Sequence, residues 1–94
     1  MITAVVLITA AADHIPEAAQ AVSEIEGVSE VYSVAGDVDL VAMVQVRAHE
    51  DLADVIAGRV SRVPGILSTN TLIAFRSYSQ HDLEAAFSIG FDDD

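Results

Sequence analysis

The first extended segment of the sequence is apolar on both of its faces. Ile2–Thr9 reads ITAVVLIT, and aliphatic residues occupy both alternating sets of positions. A strand with one solvated face would place polar residues in one of these sets, so the pattern predicts a central strand that is covered on both sides. Such a strand requires apolar layers above and below its sheet.

A helix and a hairpin are predicted next. We expect Asp13 to cap the helix and Gly27 to end it, because apolar residues recur at helical spacing between them. Two extended runs, residues 28–35 and 38–47, then flank a tight turn that contains Gly36-Asp37. These runs predict two antiparallel strands.

The second half of the chain repeats the order of helix and strand. His49–Asp51 open a helix with acidic residues in its first turn, Pro64-Gly65 end it, and residues 66–78 form a long last strand. The order β-α-β-β-α-β predicts an α+β, ferredoxin-like fold with a four-stranded antiparallel sheet and both helices on one face. We expect this domain to span residues 1–78. Residues 79–94 are a C-terminal extension, with a short helix and a frayed acidic end.

The apolar content predicts a second buried surface. Hydrophobic residues make up 52% of the 94 residues, more than one small core usually needs. Two helices cover one face of the sheet, but the strands carry apolar residues on both: Val5, Leu7, Val31, Leu40, Val44, Leu72 and Phe75. We therefore expect a sheet-to-sheet dimer, that is, a dimeric α/β barrel.

The charge balance excludes several classes of partner. The chain has 15 Asp and Glu residues against four Arg and no Lys, for a net charge of −11. Binding to nucleic acids or to anionic membranes depends on basic residues, so neither is expected. The sequence has no Cys, and its apolar start is too short to span a bilayer and lacks a basic leader region. We expect a cytoplasmic protein.

The hairpin turn is the sharpest local motif. Taken alone, Gly36, Asp37 and Asp39 are an ordinary turn, in which glycine supplies a positive φ and the carboxylates bond the local backbone. The alternative is a binding site for a zwitterion. Backbone N–H groups at Gly36 would meet its carboxylate, and an aspartate would accept from its ammonium group. The residues alone leave both interpretations open.

A polar interruption in the last strand is the second motif. Ser68-Thr69-Asn70-Thr71 lies between apolar pairs, and Thr69 and Thr71 share one face. Threonine is common in strands, so the motif has a structural explanation. Two hydroxyls on one face are also suited to line a polar pocket in apolar surroundings.

No catalytic or metal-binding constellation is visible. His14, His49 and His81 are far apart, each beside an acidic residue near a predicted helix start, which indicates capping or solvated roles. The serines lack a nucleophile elbow, and the acidic clusters lack calcium-loop spacing. We expect no cofactor, no metal and no enzymatic activity.

The stretch VSEVYSVAGDVDLVAMVQV, a helix, and RVPGILSTNTLIAF together resemble the effector domain of Lrp/AsnC regulators, also called the RAM domain, for regulation of amino-acid metabolism. The family pattern pairs G-x-x-D in the hairpin with P-G-x-x-x-T-x-T at the last strand. The resemblance covers residues 1 to about 78.

The resemblance implies a dimer that assembles further into octamer-like rings, with an amino-acid effector bound between dimers near the hairpin. It implies that Gly36, Asp37 and Asp39 hold the charged groups of the ligand and that Thr69 and Thr71 line the pocket. Full-length members carry a DNA-binding segment before this domain. We therefore expect a stand-alone effector domain that modulates transcription through a full-length relative or another partner.

Two other functions remain open at this point. One is an oligomerisation or interaction module without effector binding. The other is a small enzyme, since dimeric ferredoxin-like barrels include cofactor-free monooxygenases and isomerases. The small aliphatic residues of the strands argue against the second.

Overall fold

The structure is a computed structural model that describes residues 1–78. Its elements are β1 (Ile2–Ala10), α1 (Ile15–Ser23), β2 (Val28–Ser33), β3 (Leu40–Val46), α2 (His49–Ile56) and β4 (Ile66–Ala74). Short 3-10 turns at Ala12–His14 and Val60–Arg62 precede α1 and follow α2. The predicted order of elements is confirmed.

The four strands form one antiparallel sheet with the order β2-β3-β1-β4. β1 is central, as its two apolar faces predict, and it pairs with β3 on one side and β4 on the other. α1 connects the inner strand β1 to the outer strand β2, and α2 connects the inner strand β3 to the outer strand β4. The predicted ferredoxin-like fold class is confirmed.

The core lies between one face of the sheet and the two helices. Ala4, Val6 and Ile8 of β1 have no exposed surface, and they share their face with the residues of β3 that are buried. The buried residues are Ala4, Val6, Ile8, Ala10, Ala18, Val22, Leu40, Ala42, Val44, Val46, Leu52, Val55 and Val60. All are aliphatic, and the described residues bury no polar or charged side chain. Helix packing onto this face therefore rests on the hydrophobic effect alone.

Within residues 1–78, the other face of the sheet carries apolar residues and no helix. Paired residues of neighbouring strands point to the same side, so Val5 shares this face with its partners Met43 and Leu72. Leu7 and Val41 form the next pair on this side. We call this surface the open face, and its central residues are Thr3, Val5, Leu7, Thr9, Tyr32, Val41, Met43, Asn70 and Leu72. Leu72 is 51% exposed and Tyr32 is 47% exposed.

Several predicted boundaries are wrong, among them the start of β3, which lies at Leu40 rather than residue 38. β4 ends at Ala74 rather than residue 78, because Ala74 pairs with Thr3 near the beginning of β1 and no partner strand continues beyond it. β2 ends at Ser33, and a six-residue loop, Val34–Asp39, replaces the tight turn. α2 ends at Ile56, although Val60 after it is buried in the 3-10 turn.

The predicted cap of the first helix is also wrong. His14 is the N-cap residue of α1, and no side chain caps this helix end. The Asp13 carboxylate instead accepts a hydrogen bond from Nδ1 of His14, at 2.9 Å. The helix predicted within residues 79–94 lies outside the described residues. Within residues 1–78, no helix has the length and apolar character needed to cross a membrane.

The loop before β4 generates a prediction. Gly65 has φ +95, and a Cβ added there would lie 2.7 Å from Cβ of His14. Gly36 has φ +138, but an added Cβ would have no heavy atom within 4 Å. We expect Gly36→Ala to cost about 1–2 kcal/mol of unfolding free energy through backbone strain. Gly65→Ala should cost about 2–4 kcal/mol, because steric overlap with His14 adds to that strain. Urea unfolding of both variants measures the difference, and equal losses would contradict the close contact with His14.

Candidate functional site

The hairpin loop closes beside the end of β1. The backbone N–H of Val34 donates to the carbonyl of Asp39 at 3.0 Å, and the N–H of Asp39 donates to the carbonyl of Ile8 at 3.0 Å. Ile8 is also the partner of Thr69 in β4. We call this part of the molecule the turn end. It comprises the loop 34–39, the end of β1 and the beginning of β4.

The Asp39 side chain extends the ladder between β1 and β3. Its Oδ2 accepts a hydrogen bond from the backbone N–H of Ala10, at 2.9 Å. Alternate residues of a strand face the same neighbour, so Ile8 and Ala10 both turn their backbone groups toward β3. The carboxylate therefore stands where the next backbone carbonyl of β3 would be. Asp39 fixes the loop to the end of β1.

Asp37 and Gly36 form the exposed part of the loop. Gly36 adopts φ +138, a conformation that few other residues tolerate, so the predicted positive φ is confirmed. The Asp37 side chain is exposed, and in the part of the chain that the structure describes, no hydrogen bond or ion pair engages its carboxylate. Gly36 leaves the backbone open, and Asp37 offers a charged acceptor beside it.

Thr69 and Thr71 lie on the other side of β1 from the loop. They pair with Ile8 and Val6, so they share the face of the sheet on which the helices pack, and both are half-buried. Leu40 is the other partner of Ile8. Two strand spacings thus separate Thr69 from Leu40, roughly 10 Å. The structure places Thr69 at the turn end and Thr71, opposite Val6, near the middle of the sheet, and it brings neither into contact with the loop.

The loops before α1 and β4 complete the turn end. The N–H of Ala11 donates to the carbonyl of Gly65 at 2.8 Å, which joins the two loops. The hydrogen bond between Asp13 and His14 raises the pKa of the His14 imidazole and lowers the pKa of the Asp13 carboxyl. The sequence gives no local signal that the loops before α1 and β4 meet, because Gly65 is about fifty residues from His14.

Carboxylates outnumber cationic side chains at the turn end. Asp37 and Asp39 lie in the loop and Asp13 lies before α1, whereas His14 is hydrogen-bonded to Asp13 and Arg62 lies in the 3-10 turn before β4. An ammonium group would find carboxylate acceptors, whereas a ligand carboxylate would depend on backbone N–H groups of the loop. Among residues 1–78, no group of three His, Cys, Asp or Glu side chains is placed to hold a metal ion.

The two best-defined depressions on the described surface do not lie at the turn end. They lie at the other end of the sheet, around Gly27 and Gln45. None of the five residues predicted to bind a ligand lines either depression. Gly36 and Asp37 are exposed in a single copy, so a ligand bound at the loop would face solvent unless another surface covered it.

The Asp39 bond gives a prediction about stability. Asp39→Ala leaves the N–H of Ala10 without its acceptor, so we expect a loss of about 1–3 kcal/mol of unfolding free energy. Asp39→Asn keeps an oxygen in place and should cost less. Asp37→Ala, the matched control in the same loop, should change stability by less than about 0.5 kcal/mol. Urea unfolding measures the three values, and hydrogen exchange of the Ala10 amide should be faster in Asp39→Ala. A loss for Asp37→Ala as large as that for Asp39→Ala would contradict the role of Asp39.

The most similar solved structures include several relatives. A protein from Thermus thermophilus, TTHA0845, is 41% identical, with 85% of this chain and 100% of that chain covered and a TM-score of 0.80. A feast or famine regulatory protein from M. tuberculosis, in complex with L-methionine, is 28% identical, with 85% and 54% covered and a TM-score of 0.70. E. coli AsnC is 22% identical, with 84% and 54% covered and a TM-score of 0.78, a likeness of fold.

The chain thus spans the whole length of the first relative and about half the length of the other two. No sequence among the curated proteins matches it. The family profile described as the Lrp/AsnC ligand binding domain matches residues 3–83, which includes the turn and β4. This chain belongs to the Lrp/AsnC ligand-binding domain family.

Proposed function

We propose that the chain binds an amino acid at the turn end and acts as a regulatory module, without enzymatic activity. The proposal rests mainly on the match of residues 3–83 to a ligand-binding domain. It is supported by an acidic loop that the Asp39 side chain fixes to the sheet. The M. tuberculosis relative, a regulatory protein, is in complex with L-methionine, which supports an amino acid as the ligand class.

The residues of the loop have different roles in this proposal. Asp37 accepts from the α-ammonium group of the ligand, because its carboxylate is exposed and unengaged by the described residues. Backbone N–H groups near Gly36 meet the α-carboxylate. Asp39 has one oxygen bound to Ala10, so it mainly positions the loop and adds negative potential. Thr69 and Thr71 line the same pocket from the far side of β1.

A second copy of the chain is part of the proposed site. The open face places Val5, Leu7 and Val41 in the centre of the sheet, where neither helix of residues 1–78 covers them. Burial of such a face against an identical face is the usual outcome for an antiparallel sheet with apolar residues on both sides. We propose that the open faces form a homodimer and that dimers assemble further into an octamer-like ring. Contacts between dimers would then enclose the ligand at the turn end.

Regulation would act through other proteins. With four Arg, no Lys and a net charge of −11, the chain has no basic surface for phosphates. We propose that ligand binding changes its assembly, either with a full-length member of the family or with another partner. Such a module would work in the cytoplasm, where amino acids and transcription regulators meet.

An interaction module without a ligand is the second candidate. Two observations favour it: neither of the two best-defined depressions on the described surface lies at the turn end, and Asp39 already has a structural role. In that case the turn would serve only to close the hairpin, and the open face would be the sole functional surface.

Ligand-dependent stabilisation distinguishes these candidates. We expect at least one common amino acid to raise the melting temperature, since a ligand at 100 times its Kd adds about 2.7 kcal/mol of stability. A thermal-shift panel finds that ligand, and light scattering gives the mass of the assembly with and without it. The double variant Asp37→Ala/Thr71→Ala should weaken the apparent affinity at least about tenfold, because a charge-assisted hydrogen bond is lost.

Glu50→Ala is the matched control, since it removes an exposed carboxylate in the first turn of α2, at the other end of the sheet. It should leave the ligand response unchanged. An unchanged response in the double variant would contradict the assignment of the turn. No response to any amino acid, together with a stable assembly, would support the interaction module instead.

A further inference from the structure

The end of the sheet opposite the turn carries a separate depression of about 420 Å³. It lies where β1 and β2 begin and β3 ends, and one wall is formed by α2 and the residues after it. β1 separates it from the turn end by roughly 20 Å, the length of six strand steps. We call it the opposite-end depression. Its volume is within the range of small-molecule sites.

The floor of this depression is fixed by Gly27. The carbonyl of Gly27 accepts a hydrogen bond from the N–H of Gln45, at 2.8 Å, which ties the start of β2 to the end of β3. Gly27 has φ +100, and an added Cβ would lie 3.1 Å from Cγ2 of Val55. The backbone thus packs directly against α2. Val46 and Val55, both nearly buried, supply the apolar part of the lining.

The rim of the depression carries charges of both signs. Arg47 and Arg59 are two of the four arginines of the chain, and Glu26, Asp51 and Asp54 are the carboxylates beside them. Within residues 1–78, the one ion pair joins His14 and Asp13. Neither guanidinium group is therefore paired with a carboxylate of these residues. Their N–H donors are therefore available to a ligand.

This combination selects a class of ligand. Two guanidinium groups can bind a carboxylate, and three carboxylates can accept from an ammonium group. Two of these five side chains are positive and three are negative, and Met1, which bears the N-terminal ammonium group, also lines the depression. The rim is therefore close to neutral, and a multiply charged anion such as a nucleotide is not favoured. A molecule with one ammonium and one carboxylate group can bind the carboxylates and the guanidinium groups at the same time.

We propose that the opposite-end depression is a second small-molecule site that binds dipolar molecules, namely free amino acids or the zwitterionic ends of short peptides. It is independent of the turn end, because the two sites share no residue. The charged side chains of its rim are exposed and screened by solvent, so each contact contributes little. We expect a dissociation constant in the millimolar range, near the upper concentrations of abundant metabolites.

Chemical-shift titration of the full chain tests this site. The probes are glycine, a free amino acid, and glycylglycine, a short peptide. Acetate and methylammonium at equal ionic strength each carry only one of the two charges. We expect one or both dipolar probes to shift the amide resonances of Gly27, Gln45 and Arg47 in a saturable manner. Acetate and methylammonium should not reach the same saturation.

Two sets of variants decide the outcome. Arg47→Gln/Arg59→Gln should weaken the binding about fivefold or more, and Asp54→Asn should weaken it separately. Arg62→Gln is the matched control, because Arg62 is exposed but does not line the depression. Asp37→Ala at the turn should leave these shifts unchanged, so failure of one site is distinguishable from failure of the other. Absence of saturable shifts, an equal response to acetate, or unchanged binding by the double arginine variant would overturn the proposal.

Discussion

β1 is central in the sheet and apolar on both of its faces, and this arrangement determines how the rest of the chain packs. Ala4, Val6 and Ile8 lie under the helices with no exposed surface. Val5 and Leu7 point to the other side, where the described residues provide no covering layer. The two helices of the chain cover one face of β1, since both lie on the same side of the sheet. We propose that a second copy covers the other face, and this proposal makes assembly central to the function.

The same strand organises the candidate site. The carbonyl of Ile8 and the N–H of Ala10 hold the backbone and the side chain of Asp39, and Ile8 also pairs with Thr69. β1 therefore joins the two motifs that are far apart in sequence, but its own width keeps them roughly 10 Å apart. Asp39 and Thr69 lie on opposite sides of the end of β1, so a ligand that contacts both would need a further surface to enclose it. Contacts between copies are the proposed source of that surface, and they would couple ligand binding to assembly.

Much of the fold follows from the sequence, because apolar periodicity and the glycine and proline positions identify all six main elements in order. The ends of β2, β4 and α2 were not predictable in this way. A strand stops where its neighbour stops, as Ala74 does opposite Thr3, and this information is not local. The role of Asp39 is a similar case. A carboxylate beside a hairpin can serve a ligand or a backbone N–H, and only the register that places Ala10 next to it favours the backbone. Arg47 and Arg59 belong to different parts of the chain, and no motif in the sequence indicates that they share a depression.

We propose that the turn-end site exists only in the assembly, and a variant of the open face tests this proposal. Val41→Glu places a charge in the centre of the open face, while Leu40, which lies beside it under the helices, stays unchanged. The affinity of the stabilising amino acid is measured by calorimetry, and the mass of the same samples is measured by light scattering. We predict that the variant remains folded, is monomeric, and no longer binds the amino acid at Asp37, whereas the wild-type assembly does. A folded monomer that binds the amino acid at Asp37 with the affinity of the wild type would contradict the account.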